Sequence, residues 1–90
     1  MLKEPYLEVT YRHGRVLAAY LYLPREAGEK TTRTTQAEPG MIIDYDRHGK
    51  PIGIEITAPA QVSAADVNRL LTHLGLSPLE VADLEPLCAA

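Results

Sequence analysis

Every aromatic residue in this chain is a tyrosine: Tyr6, Tyr11, Tyr20, Tyr22 and Tyr45 stand without a phenylalanine or a tryptophan. A buried tyrosine must find a partner for its hydroxyl, or lie at a boundary with that tip in water. The core therefore has to rest on Leu, Ile and Val, within only 90 residues. A domain of this size buries about 60–70% of its unfolded surface, and small domains often gain stability by oligomerising. A homodimer is the first assembly to expect. Hydrophobic residues at 46% and charged residues at 23% fit one folded domain over residues 1–90 and argue against wholesale disorder.

The first two-thirds of the chain reads as strands. Leu7 to Tyr11 alternates, with Leu7, Val9 and Tyr11 on one face. Arg12-His13-Gly14-Arg15 reads as a turn, and Val16 to Leu23 as a nearly continuous apolar run, suited to a central strand covered on both faces. Pro24 ends that run and opens a polar loop to Gly28. Lys30 to Gln36 is threonine-rich with no apolar face, which fits an exposed edge strand or an extended arm better than a core strand. Met41 to Tyr45 and Ile52 to Ile56 form a hairpin around Asp46-Arg47-His48-Gly49. Two registers are open. A two-residue loop sets Ile43 against Ile52, and a type I turn with a bulge at Gly49 sets Ile42 against Ile54. Both leave apolar side chains on two faces, only one of which the helices can cover.

Residues 62–87 read as a helical tail. Ser63 caps the first helix with Asp66 at the third position, and Val62 and Val67 occupy the staple positions. Val67, Leu70, Leu71 and Leu74 form its apolar stripe, and Gly75 closes it. Ser77, Pro78 and Glu80 repeat the start signal for a second helix, which Pro86 is expected to stop. The fold class is α+β: a small antiparallel β-meander of about five strands, then a helical hairpin packing on one face.

Two segments carry a resemblance. Tyr11 to Leu23, ending Ala19-Tyr20-Leu21-Tyr22-Leu23, resembles a segment ending LYIxL, and Ile42 to Ile56 resembles its partner, DYDxxGxxxGIEI. Together, over roughly residues 5–58, they look like a family of short prokaryotic proteins known only as a domain of unknown function. Acids usual in that family are replaced here by Arg12 and by Ala18 or Ala19. The resemblance implies a small β-sheet domain with no established activity. Some relatives beside small toxin-like proteins imply a partner-binding role. The motif and interaction candidates are Tyr20, Tyr22, Asp44, Tyr45, Asp46, Gly49, Gly53 and Glu55.

Chemistry is thinly represented. Asp44, Asp46 and Glu55 could ligate a hard cation or work as paired carboxylates, but Asp46 is also a preferred turn residue and the others fit a solvent face. His13, His48 and His73 lack metal-ligand spacing, Ser63 and Ser77 are explained as caps, and Cys88 has no basic neighbour. No catalytic, metal or cofactor site is expected. The helices around Gly75 resemble a helix-turn-helix, which keeps an antitoxin-like or DNA-associated regulator as the alternative function. Against nucleic acid stand a formal charge of −3 and a second helix without Lys or Arg. The leading expectation is a non-catalytic protein-interaction module acting as a homodimer, with a small protein as a further candidate partner. It is expected in the cytoplasm, since no signal, membrane segment or disulfide set is visible.

Overall fold

The computed structural model describes residues 4–88, with the side chain of Cys88 outside the description, as are Met1–Lys3 and their part in the reading of the N-terminus. Its elements are β1 (Tyr6–Arg12), β2 (Arg15–Tyr22), β3 (Arg33–Glu38), β4 (Met41–Tyr45), β5 (Pro51–Ile56), a short 3-10 turn (Pro59–Gln61), α1 (Ala64–His73) and α2 (Val81–Cys88). The strands form one antiparallel sheet, and the two helices follow, as expected of an α+β domain.

The strand order corrects the expected meander. It runs β1-β2-β5-β4-β3, so β5 lies between β2 and β4. Strands β3, β4 and β5 are consecutive hairpins, and β2 joins them through the long connection 23–32, which makes a Greek key. Burial explains the order. Strand β3 (RTTQAE) has little to bury and takes the edge, as anticipated for the threonine-rich segment. In β5, Ile52, Gly53, Ile54 and Ile56 are all buried, so that strand belongs inside the sheet.

The β1–β2 hairpin turns at His13 and Gly14, whose φ values of 53° and 76° are those of a type I′ turn. Arg12 then faces Arg15, and a bulge shifts the pairing from Tyr11–Val16 to Thr10–Ala18, leaving Leu17 exposed. Strand β2 is not covered on both faces. Ala19, Leu21 and the following Leu23 enter the core, while Tyr20 and Tyr22 stand half-buried on the other side. Their alternation is a strand with one helix-covered face, written in two kinds of apolar residue.

The β4–β5 register is neither of the two expected. The turn itself is the type I form with Gly49 at φ 78°: Gly49 N–H donates to Asp46 O at 3.1 Å and Asp46 N–H to Lys50 O at 2.9 Å. A second irregularity follows at once. Tyr45 faces Pro51, yet Asp44 faces Gly53 and Ile43 faces Ile54, so Ile52 is an extra residue. Its carbonyl accepts from Leu23 N–H and from the Arg25 guanidinium on the crossing connection, which accounts for the bulge as an anchor point.

Helix α1 starts and ends as its sequence indicates. Ser63 Oγ accepts from Asp66 N–H at 3.1 Å, and Asp66 returns the bond to Ser63 N–H at 2.9 Å. These bonds hold the Asp66 carboxyl below its usual range, with help from Arg69. At the other end, Leu76 N–H reaches Leu71 O and Gly75 N–H reaches Thr72 O, the Schellman closure. Val67, Leu70 and Leu71 are buried against the sheet.

Helix α2 departs from expectation at both ends. It begins at Val81, not at Pro78, and runs through Pro86 instead of stopping there. The cause of the late start is Asn68. Its side-chain amide donates to Leu79 O at 2.9 Å and its carbonyl accepts from Leu79 N–H at 2.8 Å. Asn68 thereby holds both backbone groups of Leu79 in the connection that precedes the helix. Pro86 is tolerated because Leu84 and Leu87, on either side, are both fully buried in the core. Tertiary packing outweighs local propensity.

Candidate functional site

The helices cover one face of the sheet; the other carries the side chains whose positions are most specific. The pairings lay out two rows across it. One runs Tyr6, Tyr22, Gly53, Asp44, Thr34, and the next runs Glu8, Tyr20, Glu55, Ile42, Gln36. Only Ile42 is aliphatic among these. The face expected to be apolar is therefore built of tyrosines, carboxylates and small polar groups.

Tyrosines organise its centre. The rings of Tyr6 and Tyr22 stack with centroids 4.5 Å apart and planes 13° from parallel, and Tyr20 meets Tyr22 edge-on at 4.6 Å. Such pairs contribute roughly 0.5–1.5 kcal/mol each beyond area burial. The Arg25 guanidinium lies 5.4 Å from the Tyr22 centroid and closes that end of the cluster. The Tyr20 ring leans across Gly53, and its hydroxyl donates to Asp44 Oδ2 at 2.7 Å. Gly53 is there for space: a Cβ at that position would lie 1.8 Å from the Tyr20 hydroxyl oxygen. A glycine, a tyrosine and an aspartate from three adjacent strands thus form one unit.

Electrostatics fix the state of that unit. Burial, reinforced by the bond to Asp44, pushes the Tyr20 hydroxyl up to about 12. It is a donor at every physiological pH. Tyr22 is also raised, first by the nearby Glu8 carboxylate. The stability that Tyr20 confers is fully present below its ordinary pKa of 10.0 and is lost as pH rises from there to about 12. A spectrophotometric titration of tyrosinate is expected to show Tyr20 among the last hydroxyls to ionise, and Tyr20→Phe is expected to remove that late step.

The structure divides the motif residues into two groups. Tyr20, Tyr22, Asp44, Gly53 and Glu55 meet on the open face. Tyr45, Asp46 and Gly49 do not. Tyr45 packs against the core cluster with the Arg33 guanidinium 4.4 Å from its ring centroid. Asp46 Oδ1 accepts from His48 N–H at 2.8 Å and Lys50 N–H at 3.0 Å, which lowers its carboxyl below the usual range, the Lys50 bond foremost. Those bonds, with Gly49, build the hairpin turn.

The three candidate carboxylates therefore do not converge, and among the described residues no group of three His, Cys, Asp or Glu side chains is placed to share a metal ion. A cleft of about 500 Å³ lies between the crossing connection and the β4–β5 turn, lined in part by Glu26, Glu29, Asp46 and His48. Of its acids, Asp46 is engaged by its own turn, and one Glu29 oxygen lies 3.8 Å from the Lys50 ammonium. Among the described residues, no helix is long and apolar enough to cross a membrane.

Tyr6, Glu8 and Arg25 belong to this face and were not singled out from the sequence. Starting the first strand one residue earlier places Tyr6 opposite Tyr22, so the alternation held the signal for Tyr6. Arg25 sits in a connection whose course depends on the strand order, and no local pattern marks it.

Residues 18–58 match the model of a family described as a protein of unknown function (DUF2283). The matched segment takes in most of β2 and all of β3, β4 and β5, the Greek-key unit, and leaves β1 and both helices outside. No curated protein and no solved structure matches the chain.

Proposed function

We propose that this chain is a non-catalytic protein-interaction module that works as a homodimer, with the open tyrosine face of its sheet as the contact surface. The observation that carries this reading is the Tyr6–Tyr22–Tyr20 cluster, left uncovered on the face away from the helices. Tyrosine offers large, stiff contact area with a polar tip, which is why it is favoured where proteins meet. The Tyr20–Asp44 bond and the close approach over Gly53 hold the rings in place before any partner arrives, which lowers the ordering cost of association. The same reading keeps the protein in the cytoplasm, where a chain with one cysteine needs no disulfide. The helix pair supports no second reading. Helix α2 has no Lys or Arg, and it spends Leu84 and Leu87 on the core.

Native mass spectrometry of the purified chain, with sedimentation equilibrium at tens of micromolar, tests the proposal. A mass of two chains is expected. A single-chain mass at high micromolar concentration overturns it, and an added protein mass in material isolated from cells replaces the second copy with a heterologous partner.

A further inference from the structure

The open face is not uniform along its strands. Its centre is acidic, with Glu8 and Glu55 exposed and Asp44 beneath Tyr20. The far end of the β1–β2 hairpin is basic. Strand β1 alternates without interruption, so Arg12 lies on the same face as Glu8 and Thr10, and Arg15 faces Arg12 across the hairpin. Like charges directly opposite on neighbouring strands are unfavourable. Among the described residues neither arginine has an ion-pair partner, and neither does Glu8. Between the two ends lie Thr10 and Ala18, a facing pair of small side chains.

We infer that two copies stack through this face about a two-fold axis at the Thr10–Ala18 pair, each inserting its hairpin arginines into the acidic tyrosine surface of the other. This deepens the homodimer reading and rests on it. An axis in the plane of the sheet, perpendicular to the strands, reverses strand direction and keeps each strand above its own copy. Glu8 and Arg12 are equally far from Thr10, about 7 Å to either side at the rise of an extended strand. The rotation therefore sets Arg12 of one copy over Glu8 of the second. On β2 it sets Arg15 over Tyr20, where a guanidinium is attracted to the ring face. Each contact occurs twice, so the surface is self-complementary and the assembly closes at two chains. The small side chains at the pivot allow the sheets to approach to the ordinary spacing of about 10 Å.

Glu8 and Arg12 are exposed, so exchanging their charges leaves the fold intact, which circular dichroism checks. Glu8→Arg alone and Arg12→Glu alone are each expected to weaken dimerisation about tenfold or more, because two attractive pairs per dimer become repulsive. An equimolar mixture of the two variants is expected to form a heterodimer at wild-type affinity, since positions 8 and 12 then meet with opposite charges in both contacts. Single variants that dimerise like wild type, or a mixture that fails to recover, overturn this stacking while leaving the homodimer in place. A wild-type chain that is monomeric at high micromolar concentration overturns the homodimer and this inference with it.

Discussion

Replacing Gly53 with valine is expected to cost about 3 kcal/mol of stability, a value at the upper end for overpacking a well-filled site. The reason is local and severe. A Cβ at Gly53 would stand 1.8 Å from the Tyr20 hydroxyl oxygen and 2.3 Å from the ring carbon bearing it. Neither backbone can move, because Gly53 is paired to Tyr22 on one side and to Asp44 on the other. The Tyr20 ring must swing away, and Asp44, 8% exposed, loses the hydroxyl that satisfies it. Denaturant unfolding of Gly53→Val, Tyr20→Ser and the double variant measures the coupling. If the clash is the cause, the double variant is expected to recover 1–2 kcal/mol relative to the sum of the singles, within the roughly 0.5–3 kcal/mol range for contacting residues. Strict additivity would show that Gly53 serves the strand in some other way.

Leu84→Ala is expected to cost about 2–5 kcal/mol, as for other leucines removed from a filled core. Leu84 and its neighbour Leu87 are fully buried with Leu21, Ile54 and Ile56 of the sheet. Against a total stability of roughly 5–15 kcal/mol, one such loss decides whether the chain stays folded near body temperature. Val81→Ala on the same helix is the control, since Val81 is 65% exposed and its truncation is expected to change stability by about 0.5 kcal/mol or less. Thermal melts of both variants suffice. A small effect at Leu84 would mean that the sheet stands without its helical cover.

What could be read from the sequence follows how local the cause is. The α1 capping box, its apolar stripe and the glycine closure are set by residues within a few positions, and all three are where the sequence places them. The turn around Asp46 and Gly49 was likewise readable. The register beyond that turn was not, because the extra residue at Ile52 answers to Leu23 and Arg25, which approach from a distant part of the chain. The start of α2 failed for the same kind of reason. Ser77 and Pro78 are sound start signals, overridden by Asn68 holding Leu79 from a different helix.

The candidate site shows the same division. The motif residues were visible as a set, yet the sequence alone could not separate those that build the turn from those that furnish the face. That separation depends on which strand lies beside β5. The lack of apolar residues that puts β3 at the edge also leaves the inner side of β5 to β2, and that neighbour is what brings Tyr20 to Asp44.

The Greek-key connection also has a kinetic meaning. The hairpins β1–β2, β3–β4 and β4–β5 each close over short loops, and such steps take microseconds. Joining β2 to β5 requires Tyr22 to find Gly53 and Ala19 to find Ile56 across all the intervening chain, so loop-closure entropy makes it the slow pairing. The Tyr20–Asp44 bond bridges that same seam. A chain caught before the seam closes already carries Tyr6, Tyr20 and Tyr22 on one hairpin. Its Tyr20 then has neither Gly53 to lean across nor Asp44 to bond, so the fixed geometry of this face is itself a certificate of completed folding.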